Sequence, residues 1–310
     1  MRIAVTGGAG FIGSNLVELL IANGHEVSVF DNLETGFFEN IENLECRFIE
    51  GDLTDIDSLR EFFNTGEFDY CFHLAALGSV PRSIENPRAS FNSNVLGTLN
   101  LLEILRSIKL PIIYSSSSSV YGSNTKLPKN ELDWMSPISP YGSFKSANES
   151  MMMAFSKSYG FKTKIFRLFN VYGPRQNPLG AYSAVIPRWT LAAFKNEPIV
   201  VFGDGNQKRD FTYVGDVNRI FVNSLVSEKD EILPINLAFG NPVTLNQMLE
   251  IFREYFPDLT VKYDSIRHGD IRDSESDPTK LRSVIGDFQA TSLKDGLLST
   301  FDWYKAKYGF

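Results

Sequence analysis

The fold of this chain is decided by residues 2–31, RIAVTGGAGFIGSNLVELLIANGHEVSVFD. Apolar residues at 3–6 predict a strand, the pattern at 10–23 predicts a helix, and 26–31 predict a second strand. Glycines fill the turn between the first strand and the helix. A strand, a glycine turn, a helix and a second strand form the βαβ unit with which dinucleotide-binding sheets begin.

The glycine turn reads Thr6-Gly7-Gly8-Ala9-Gly10-Phe11-Ile12-Gly13. Glycine lets the backbone approach a pyrophosphate closely, and the start of the following helix offers free N–H groups. Asp31 ends the second strand, eighteen positions after Gly13, and Asn32 rather than an arginine follows it. A carboxylate at this position accepts hydrogen bonds from the adenosine ribose and repels a 2′-phosphate. The pattern therefore predicts NAD, not NADP, as the cofactor.

Short apolar runs alternate with helical patterns through the rest of the first half of the chain. Strands are predicted at 47–50, 70–75, 111–115 and 164–169, and helices at 90–107 and 143–159. Such alternation predicts an α/β fold with a doubly wound parallel sheet, the Rossmann fold, covered by helices on both faces.

Prolines and glycines crowd the chain beyond residue 170, and the alternation loosens. A strand is predicted at 199–202, and helices at 216–226, 244–255 and 293–305. We therefore predict two domains. The NAD-binding Rossmann domain comprises 1–170 and about 213–239, and a smaller α/β substrate domain comprises about 171–212 and 240–310.

Composition excludes several classes of partner. The net charge of −7 and the pI of about 5.2 argue against nucleic acid, which needs a basic surface. Cys46 and Cys71 lie in strand-like stretches with no CxxC pair, and the three histidines are scattered, so no metal site is predicted. Neither an apolar run of membrane-span length nor a signal-peptide pattern is found, which favours a cytoplasmic protein with no membrane partner.

Tyr141 and Lys145 lie four residues apart at the start of a helical pattern, and therefore on one face of the helix. A lysine cation there should lower the pKa of the phenol from about 10, so that it can act as a general base. A serine run, 115–119, follows the strand predicted at 111–115. Ligands of this sheet type bind beyond the carboxyl ends of the strands, where a serine hydroxyl can hydrogen-bond a substrate oxygen.

These motifs together resemble the extended short-chain dehydrogenase/reductase superfamily and, within it, the UDP-N-acetylglucosamine/UDP-glucose 4-epimerase family. The similarity covers nearly the whole chain. Besides the glycine turn, it rests on Asp31-Asn32-Leu33, Gly51-Asp52-Leu53, His73-Leu74-Ala75-Ala76, SSSVYG at 117–122, SPYGSFK at 139–145 and RLFNVYGPR at 167–175. The resemblance implies that Ser117, Tyr141 and Lys145 are catalytic.

The resemblance also implies which residues bind NAD. The residues expected along the pyrophosphate are Gly7, Gly10, Phe11, Ile12 and Gly13. Those expected at the ribose and adenine are Asp31, Asn32, Asp52 and Leu53. Ala75 would back the cofactor, Asn94 would add a contact, and Lys145 would bind the nicotinamide ribose.

A UDP-sugar substrate is implied by further similarities. Those for the nucleotide are Asn170, Arg209 and Arg267 at the diphosphate, Phe202, Ala184 and Val185 at the uracil, and Asp270 at the uridine ribose. Those for the sugar are Ser117 and Tyr141 at the reacting hydroxyl, and Ser79, Arg82 and Ser83 near an acetamido group. Ser274 aligns with a position where tyrosine limits the family to glucose and galactose, whereas a small residue admits N-acetyl groups.

The implied activity is NAD-dependent 4-epimerisation of UDP-sugars through a transient 4-keto intermediate, with interconversion of UDP-GlcNAc and UDP-GalNAc and also of UDP-glucose and UDP-galactose. A homodimer through a helix bundle that includes the helix after Lys145 is also implied. Three alternatives remain: an epimerase of UDP-glucose only, another sugar-nucleotide epimerase or dehydratase, and a non-catalytic NAD-binding regulator. Dehydratases carry Asp-Glu where this chain has Ser118 and Ser119, and a hydroxyl cannot replace a carboxylate in elimination.

Overall fold

The structure is a computed structural model that describes residues 1–180, 183–226, 232–265, 272–286 and 288–310. The strands are, in chain order, β1 (Arg2–Thr6), β2 (Glu26–Asp31), β3 (Cys46–Glu50), β4 (Tyr70–His73), β5 (Ile112–Ser117), β6 (Thr163–Leu168), β7 (Val171–Tyr172), β8 (Ile199–Phe202), β9 (Lys208–Arg209), β10 (Thr212–Tyr213), β11 (Ile235–Leu237), β12 (Val243–Thr244) and β13 (Val261–Asp264).

The α-helices are α1 (Phe11–Ala22), α2 (Ile56–Asn64), α3 (Val80–Glu85), α4 (Pro87–Phe91), α5 (Gly97–Ile108), α6 (Pro140–Tyr159), α7 (Val185–Phe194), α8 (Val214–Leu225), α9 (Leu245–Tyr255), α10 (Thr279–Ile285) and α11 (Leu293–Tyr308). A π-helical turn, Asn92–Leu96, joins α4 to α5, and 3₁₀ turns lie at Phe38–Asn40 and Ser118–Val120.

Seven parallel strands form the main sheet, in the spatial order β3-β2-β1-β4-β5-β6-β11. This order reverses between β1 and β4, and ligands of doubly wound sheets bind at that switch point. The predicted α/β fold with a doubly wound parallel sheet is confirmed. Strand β11 lies far along the chain, yet it completes this sheet beside β6.

Both faces of the main sheet are buried, as a parallel sheet requires. Successive residues of β1 point to opposite faces: Ile3 and Val5 pack in one core with α1 and α8, and Ala4 packs in the other with α2, α5 and α6. A third core surrounds Trp189 and Phe252 and joins α7, α9 and α11 to β8. This third core lies in the second half of the chain.

Several predicted elements have different bounds in the structure. The helix predicted at 90–107 is interrupted by the π-helical turn, and the helix predicted at 143–159 begins at Pro140, with the Ser139 side chain accepting a hydrogen bond from the N–H of Gly142. Strand β5 extends to Ser117, because its pairing with β6 continues that far. Among the described residues, no helix is long and apolar enough to cross a membrane.

Candidate active site

A cavity of about 460 Å³ opens at the carboxyl ends of the central strands, over the switch point of the sheet. Most of the residues predicted to bind cofactor or to act in catalysis line it. They are Gly7, Gly10, Phe11, Ile12, Gly13, Asp31, Asn32, Asp52, Leu53, Ala75, Ser117, Tyr141 and Lys145, and they are joined by Ser79, Arg82 and Asn170.

The glycine turn has no room for side chains. Gly7 has a φ of +74°, and a Cβ atom there would lie 2.5 Å from the backbone nitrogen of Ala75. A Cβ atom on Gly13 would lie 2.1 Å from the carbonyl oxygen of Gly7. Because the turn is this tight, bare backbone and the start of α1 face the cavity, and that is the surface that binds a pyrophosphate.

Asp31 lies at the end of β2, where its carboxylate joins two loops at the cavity wall. Oδ2 accepts a hydrogen bond from the N–H of Ala9 at 2.9 Å, and Oδ1 accepts one from the N–H of Leu33 at 2.9 Å. Burial raises the pKa of this carboxyl, and the two backbone hydrogen bonds oppose that rise. Beside it, Asn32 donates to Oδ2 of Asp52 at 2.7 Å. The tight cradle, the acid at the end of β2 and the cavity together fit NAD.

Three side chains predicted to be catalytic meet at the far end of the same cavity. Ser117 stands at the end of β5, and its hydroxyl lowers the pKa of the Tyr141 phenol. Its Oγ also donates to Oγ of Ser119 at 3.1 Å. Lys145 Nζ donates to the carbonyl oxygen of Ser115 at 2.7 Å and lies 5.9 Å from the centre of the Tyr141 ring.

The predicted lowering of the Tyr141 pKa is wrong for the protein as described. Burial raises the pKa of Tyr141 to about 12, although the Ser117 hydroxyl opposes this rise. Burial also lowers the pKa of Lys145 to about 7, against the field of Glu149. The spacing of the two residues in the sequence does not reveal that both are buried, and burial disfavours the charged form of each.

Two residues predicted at the site lie behind its wall instead. Asn94 is buried, and its side chain accepts from the N–H of Leu77 at 2.8 Å and donates to the carbonyl of Leu77 at 3.3 Å. Ser83 is also buried; its hydroxyl donates to the carbonyl of Val80 at 2.7 Å and accepts from the N–H of Tyr141 at 3.1 Å. Both side chains position elements that line the cavity and are not themselves among the lining residues.

The other two residues predicted near an acetamido group do line the cavity. Ser79 caps α3 by accepting from the N–H of Arg82 at 3.3 Å. The guanidinium of Arg82 lies 3.8 Å from the carboxylate of Glu34, which also lines the cavity. Arg82 and Glu34 therefore lie side by side in the cavity wall, with their opposite charges close together.

A second pocket, of about 280 Å³, shares part of its wall with the first cavity. The residues that line both are Asn170, Val171 and Ser183. Besides Asn170, four of the predicted substrate residues, Ala184, Val185, Phe202 and Arg209, line the second pocket. The guanidinium of Arg188 lies 5.6 Å from the centre of the Phe202 ring, so an arginine and an aromatic ring meet in one wall.

Ser274 lies beside the junction of the two pockets. The side-chain nitrogen of Asn170 donates to Ser274 Oγ at 3.4 Å and to the carbonyl of Asp210 at 3.0 Å. Ser274 also pairs with Arg209 in a short parallel bridge. Arg209 donates to the carbonyl of Arg272 at 2.7 Å. Arg267 and Asp270, predicted at the diphosphate and the ribose, lie outside the described residues.

The sequence reasoning missed part of the second pocket. Gln176, Arg188, Trp189, Gln207 and Phe211 also line it. Arg188 and Trp189 lie on α7, which was not predicted as a helix. A usable signal was present, because the buried residues Ile186, Trp189, Thr190 and Ala193 recur at helical spacing. Among the described residues, no group of three or more His, Cys, Asp or Glu converges as a metal site would require.

The sequence of this chain is similar to those of known proteins. Residues 3–237 match the family described as the NAD dependent epimerase/dehydratase family. A putative UDP-glucose 4-epimerase of Methanocaldococcus jannaschii is 38% identical over 307 residues, which cover 98% of each chain.

Solved structures agree along the whole chain. A UDP-N-acetylglucosamine 4-epimerase from Methanobrevibacter ruminantium M1, in complex with UDP-N-acetylmuramic acid, is 36% identical with a TM-score of 0.92, over 99% of this chain and 98% of that one. A UDP-glucose 4-epimerase from Thermotoga maritima, with UDP-glucose, is 36% identical with a TM-score of 0.94, over 99% of this chain and 100% of that one. This chain therefore belongs to the NAD-dependent epimerase/dehydratase family; it is an enzyme whose homologues and structural neighbours include UDP-sugar 4-epimerases, and NAD is its cofactor.

Proposed function

We propose that this enzyme inverts the configuration at C4 of a UDP-sugar, and that UDP-GlcNAc and UDP-GalNAc are its preferred pair. One observation carries the proposal. Ser117, Tyr141 and Lys145 line the dinucleotide cavity, and that cavity shares a wall with a second pocket lined by Phe202, Arg188 and other residues. The reacting sugar would occupy the first cavity, beside the catalytic residues, and its nucleotide would occupy the second pocket.

The residues of the chain have distinct tasks in this reaction. Tyr141 in its phenolate form takes the proton of the sugar 4-hydroxyl and becomes the neutral phenol, and Ser117 hydrogen-bonds the sugar oxygen as its proton leaves. When bound, NAD supplies a hydride acceptor and donor for C4. The glycine turn and Asp31 hold the cofactor. Burial disfavours the phenolate form of Tyr141, and the ammonium form of Lys145, 5.9 Å from the centre of the Tyr141 ring, offsets part of that cost. The 4-keto sugar turns in the cavity while the second pocket holds the nucleotide.

The distribution of acids favours return of the proton over loss of water. The carboxylates that line the first cavity are, among the described residues, Asp31, Glu34 and Asp52, and all three lie at or just beyond the ends of β2 and β3. At the Ser117 end, Ser118 and Ser119 form a 3₁₀ turn, and the Ser119 hydroxyl accepts from Ser117. Elimination needs a general acid at the leaving hydroxyl, and no described carboxylate lines the cavity there. A 4-epimerase fits this arrangement better than a dehydratase.

The choice of an N-acetylated sugar rests on space and on neutral polar groups. Ser274 leaves more room beside Asn170 than a tyrosine would. Ser79, Asn177 and Ser183 bring neutral hydrogen-bonding groups to the same cavity. Among the residues that the structure describes, the cationic side chains lining the cavity are those of Arg82 and Lys145. The Arg82 guanidinium lies 3.8 Å from the Glu34 carboxylate. A uronate carboxylate therefore lacks a dedicated partner there, whereas an acetamido group can bond to the neutral groups.

A non-catalytic NAD-binding protein is the alternative from a different class, because a shared fold does not imply activity. It predicts tight NAD binding without turnover of any UDP-sugar. The deciding experiment assays the purified protein, with its co-purified nucleotide identified, on UDP-GlcNAc, UDP-GalNAc, UDP-glucose, UDP-galactose and the uronates side by side. We expect the fastest turnover on the N-acetylated pair.

The Tyr141→Phe variant tests the assignment of the base. Loss of one hydroxyl should leave NAD bound but should reduce kcat by about 10²- to 10⁴-fold, the usual range for a general base. Tyr308→Phe is the matched control, because it removes a phenol hydroxyl on the C-terminal helix α11. Near-normal turnover by Tyr141→Phe would refute the assignment.

A further inference from the structure

A buried carboxylate, Glu149, lies one helical turn beyond Lys145 on α6. It is fully buried, and Arg167 on β6 is nearly so. Arg167 Nε donates to Oε1 of Glu149 at 2.9 Å, and Nη2 donates to Oε2 at 2.8 Å. The hydroxyl of Ser116 on β5 also donates to Oε1. One side chain thus joins three elements of the fold.

The ion pair needs an explanation beyond stability. Burying two charges costs about as much as their attraction returns, and apolar residues of similar size often serve a core equally well. The bidentate geometry, by contrast, fixes direction as well as distance. The pair therefore suits a place where α6 must stand in one exact position against β5 and β6.

That place is the catalytic end of β5. Ser116 lies between Ser117, whose hydroxyl lowers the pKa of the Tyr141 phenol, and Ser115, whose carbonyl accepts from Lys145. In the sheet, Ser116 is paired with Arg167. Glu149 therefore accepts a hydrogen bond from Ser116, the residue of β5 that lies between the two serines nearest to the catalytic side chains. A shift of α6 along β5 would move Tyr141 and Lys145 relative to Ser117.

Glu149 also adds charge near the lysine. The groups that face Lys145 are Tyr141 and Glu149 on its own helix, the Tyr114 ring of β5 at 4.7 Å, and His73 of β4. Burial, and then the lysine itself, lower the pKa of His73 to about 3, so that His73 is neutral near pH 7. Arg167 partly offsets the charge of Glu149. The negative field that favours the charged lysine comes from Glu149.

We propose that Glu149 is a positioning residue for the reaction: through Ser116 and Arg167 it sets where Ser117, Tyr141 and Lys145 stand. Because Glu149 lies one helical turn from Lys145, its charge also favours the ammonium form of that lysine, against the burial that disfavours it. The inference rests on the proposed roles of Ser117 and Lys145. It assigns Glu149 no contact with substrate or cofactor.

The test compares wild-type holoenzyme with Glu149→Gln by steady-state kinetics and by NMR of protein labelled with ¹³C at the lysine ε-carbon, the Lys145 signal being assigned from its loss in Lys145→Arg. We expect kcat to fall on the order of 100-fold, as for a misplaced reacting group, while KM changes little. We expect the Lys145 titration to move down by about one pH unit, as loss of a nearby opposite charge requires. Glu103→Gln, an exposed carboxylate on α5, is the control for net charge and should change neither.

Ser116→Ala separates the positioning effect of Glu149 from its effect on the charge of Lys145. It also tests the positioning role if Glu149→Gln does not fold. It keeps the ion pair, so the Lys145 titration should stay in place while kcat falls about tenfold through loss of alignment. Wild-type kcat in Ser116→Ala, or an unmoved Lys145 titration in folded Glu149→Gln, overturns the proposal. If the wild-type enzyme is inactive on every UDP-sugar, the proposed function is wrong. The Lys145 titration in Glu149→Gln would still test whether Glu149 acts on that lysine.

Discussion

Lys145 carries its amine in a buried position, and the stability of the protein should depend on pH for that reason. Its pKa of about 7 in the folded state lies below the ordinary value of 10.5. Below pH 7 both the folded and the unfolded state hold the proton, and the cost of burying the cation is complete. Between pH 7 and 10.5 the folded state has released the proton and the unfolded state has not, so this group makes stability rise with pH.

Lys145→Met in nucleotide-free protein should therefore stabilise the fold at pH 6, because it removes a buried cation. The gain should be on the order of a few kcal/mol at pH 6 and should shrink toward pH 10, where the wild-type lysine is neutral in the folded state. Urea unfolding at the two pH values measures it. Lys157→Met makes the same change at an exposed position of the same helix and should show no such trend. An equal gain at both pH values would contradict the burial argument.

Ser274→Tyr tests the proposed sugar preference at one position. Asn170 bonds the Ser274 hydroxyl beside the junction of the two pockets, so a tyrosine ring there takes space from the sugar. We expect turnover of UDP-GlcNAc to fall at least about tenfold, a steric loss of the size that pocket contacts provide, with UDP-glucose spared. Ser274→Ala is the control, because it removes the hydroxyl without filling space. Equal loss on both sugars in Ser274→Tyr would refute the specificity role.

Residue by residue, the sequence located the site better than it described its chemistry. The catalytic candidates were predicted because Tyr141, Lys145 and the serine run lie at strand and helix ends. The predicted ionisation of Tyr141 was wrong, because burial arises from residues distant in the chain. Asn94 and Ser83 show the same limit. From the sequence alone, a polar side chain near a site is predicted to contact the ligand. Its hydrogen-bond partners in the structure show whether it binds the protein backbone instead.

At the scale of elements, helix α6 and strand β5 show what local sequence can and cannot set. Ser139 and Pro140 are common at the start of a helix, and Gly160 ends α6 in the left-handed conformation, so both ends have local causes. The extension of β5 through Ser116 and Ser117 has no local cause. It follows from pairing with β6 as far as Leu168, a contact made by a distant segment. That extension places Ser117 at the strand end.

The π-helical turn before α5 supports the loop after β4. A π-helical turn changes the hydrogen bonding of a helix, and the carbonyl of Asn94 accepts from the Thr98 hydroxyl at 2.6 Å and from the Asn148 side chain at 2.8 Å. The Asn94 side chain is then aimed at both backbone groups of Leu77, a residue that lines the cavity. The turn therefore serves to hold the cavity wall.

Asn94→Ala should weaken NAD binding although Asn94 does not line the cavity. It leaves two buried backbone groups of Leu77 without partners, at a cost of about 1–3 kcal/mol in unfolding free energy. The loosened loop should lower NADH affinity several-fold, measured by fluorescence titration. Asn92→Ala removes an exposed asparagine from the same turn and should change neither quantity. Unchanged affinity in a destabilised Asn94→Ala would show that the loop holds its place without this side chain.

At the scale of the whole molecule, predictability fell along the chain. The first half has local βαβ units, so alternation alone predicted its strands and that they run parallel. In the second half, β7, β9, β10 and β12 are two residues long and pair with distant segments, and no local pattern marks such strands. The third core likewise gathers α7, α9 and α11, which are separated in sequence.

A homodimer remains a prediction, and an apolar surface on the described chain supports it. Phe91, Leu96 and Tyr159 are 45%, 38% and 40% exposed and lie on α4, the π-helical turn and α6. Phe91 and Phe144 pack edge to face, 5.7 Å between ring centres, which places the start of α6 beside α4. Half-buried Phe155 lies at helical spacing from Phe144 and Tyr159, so α6 carries an apolar stripe. Two helical segments with such a surface suit pairing with a second copy about a two-fold axis.

Leu96→Glu should shift the protein from dimer to monomer in sedimentation velocity at micromolar concentration. A two-fold axis places the new carboxylate twice in one apolar interface, and each burial without a partner costs several kcal/mol. Leu132→Glu is the matched control, because Leu132 is 85% exposed on the loop after β5 and lies outside the stripe. It should leave the mass unchanged. A wild-type monomer, or a dimer that survives Leu96→Glu, would show that these helices do not form the interface.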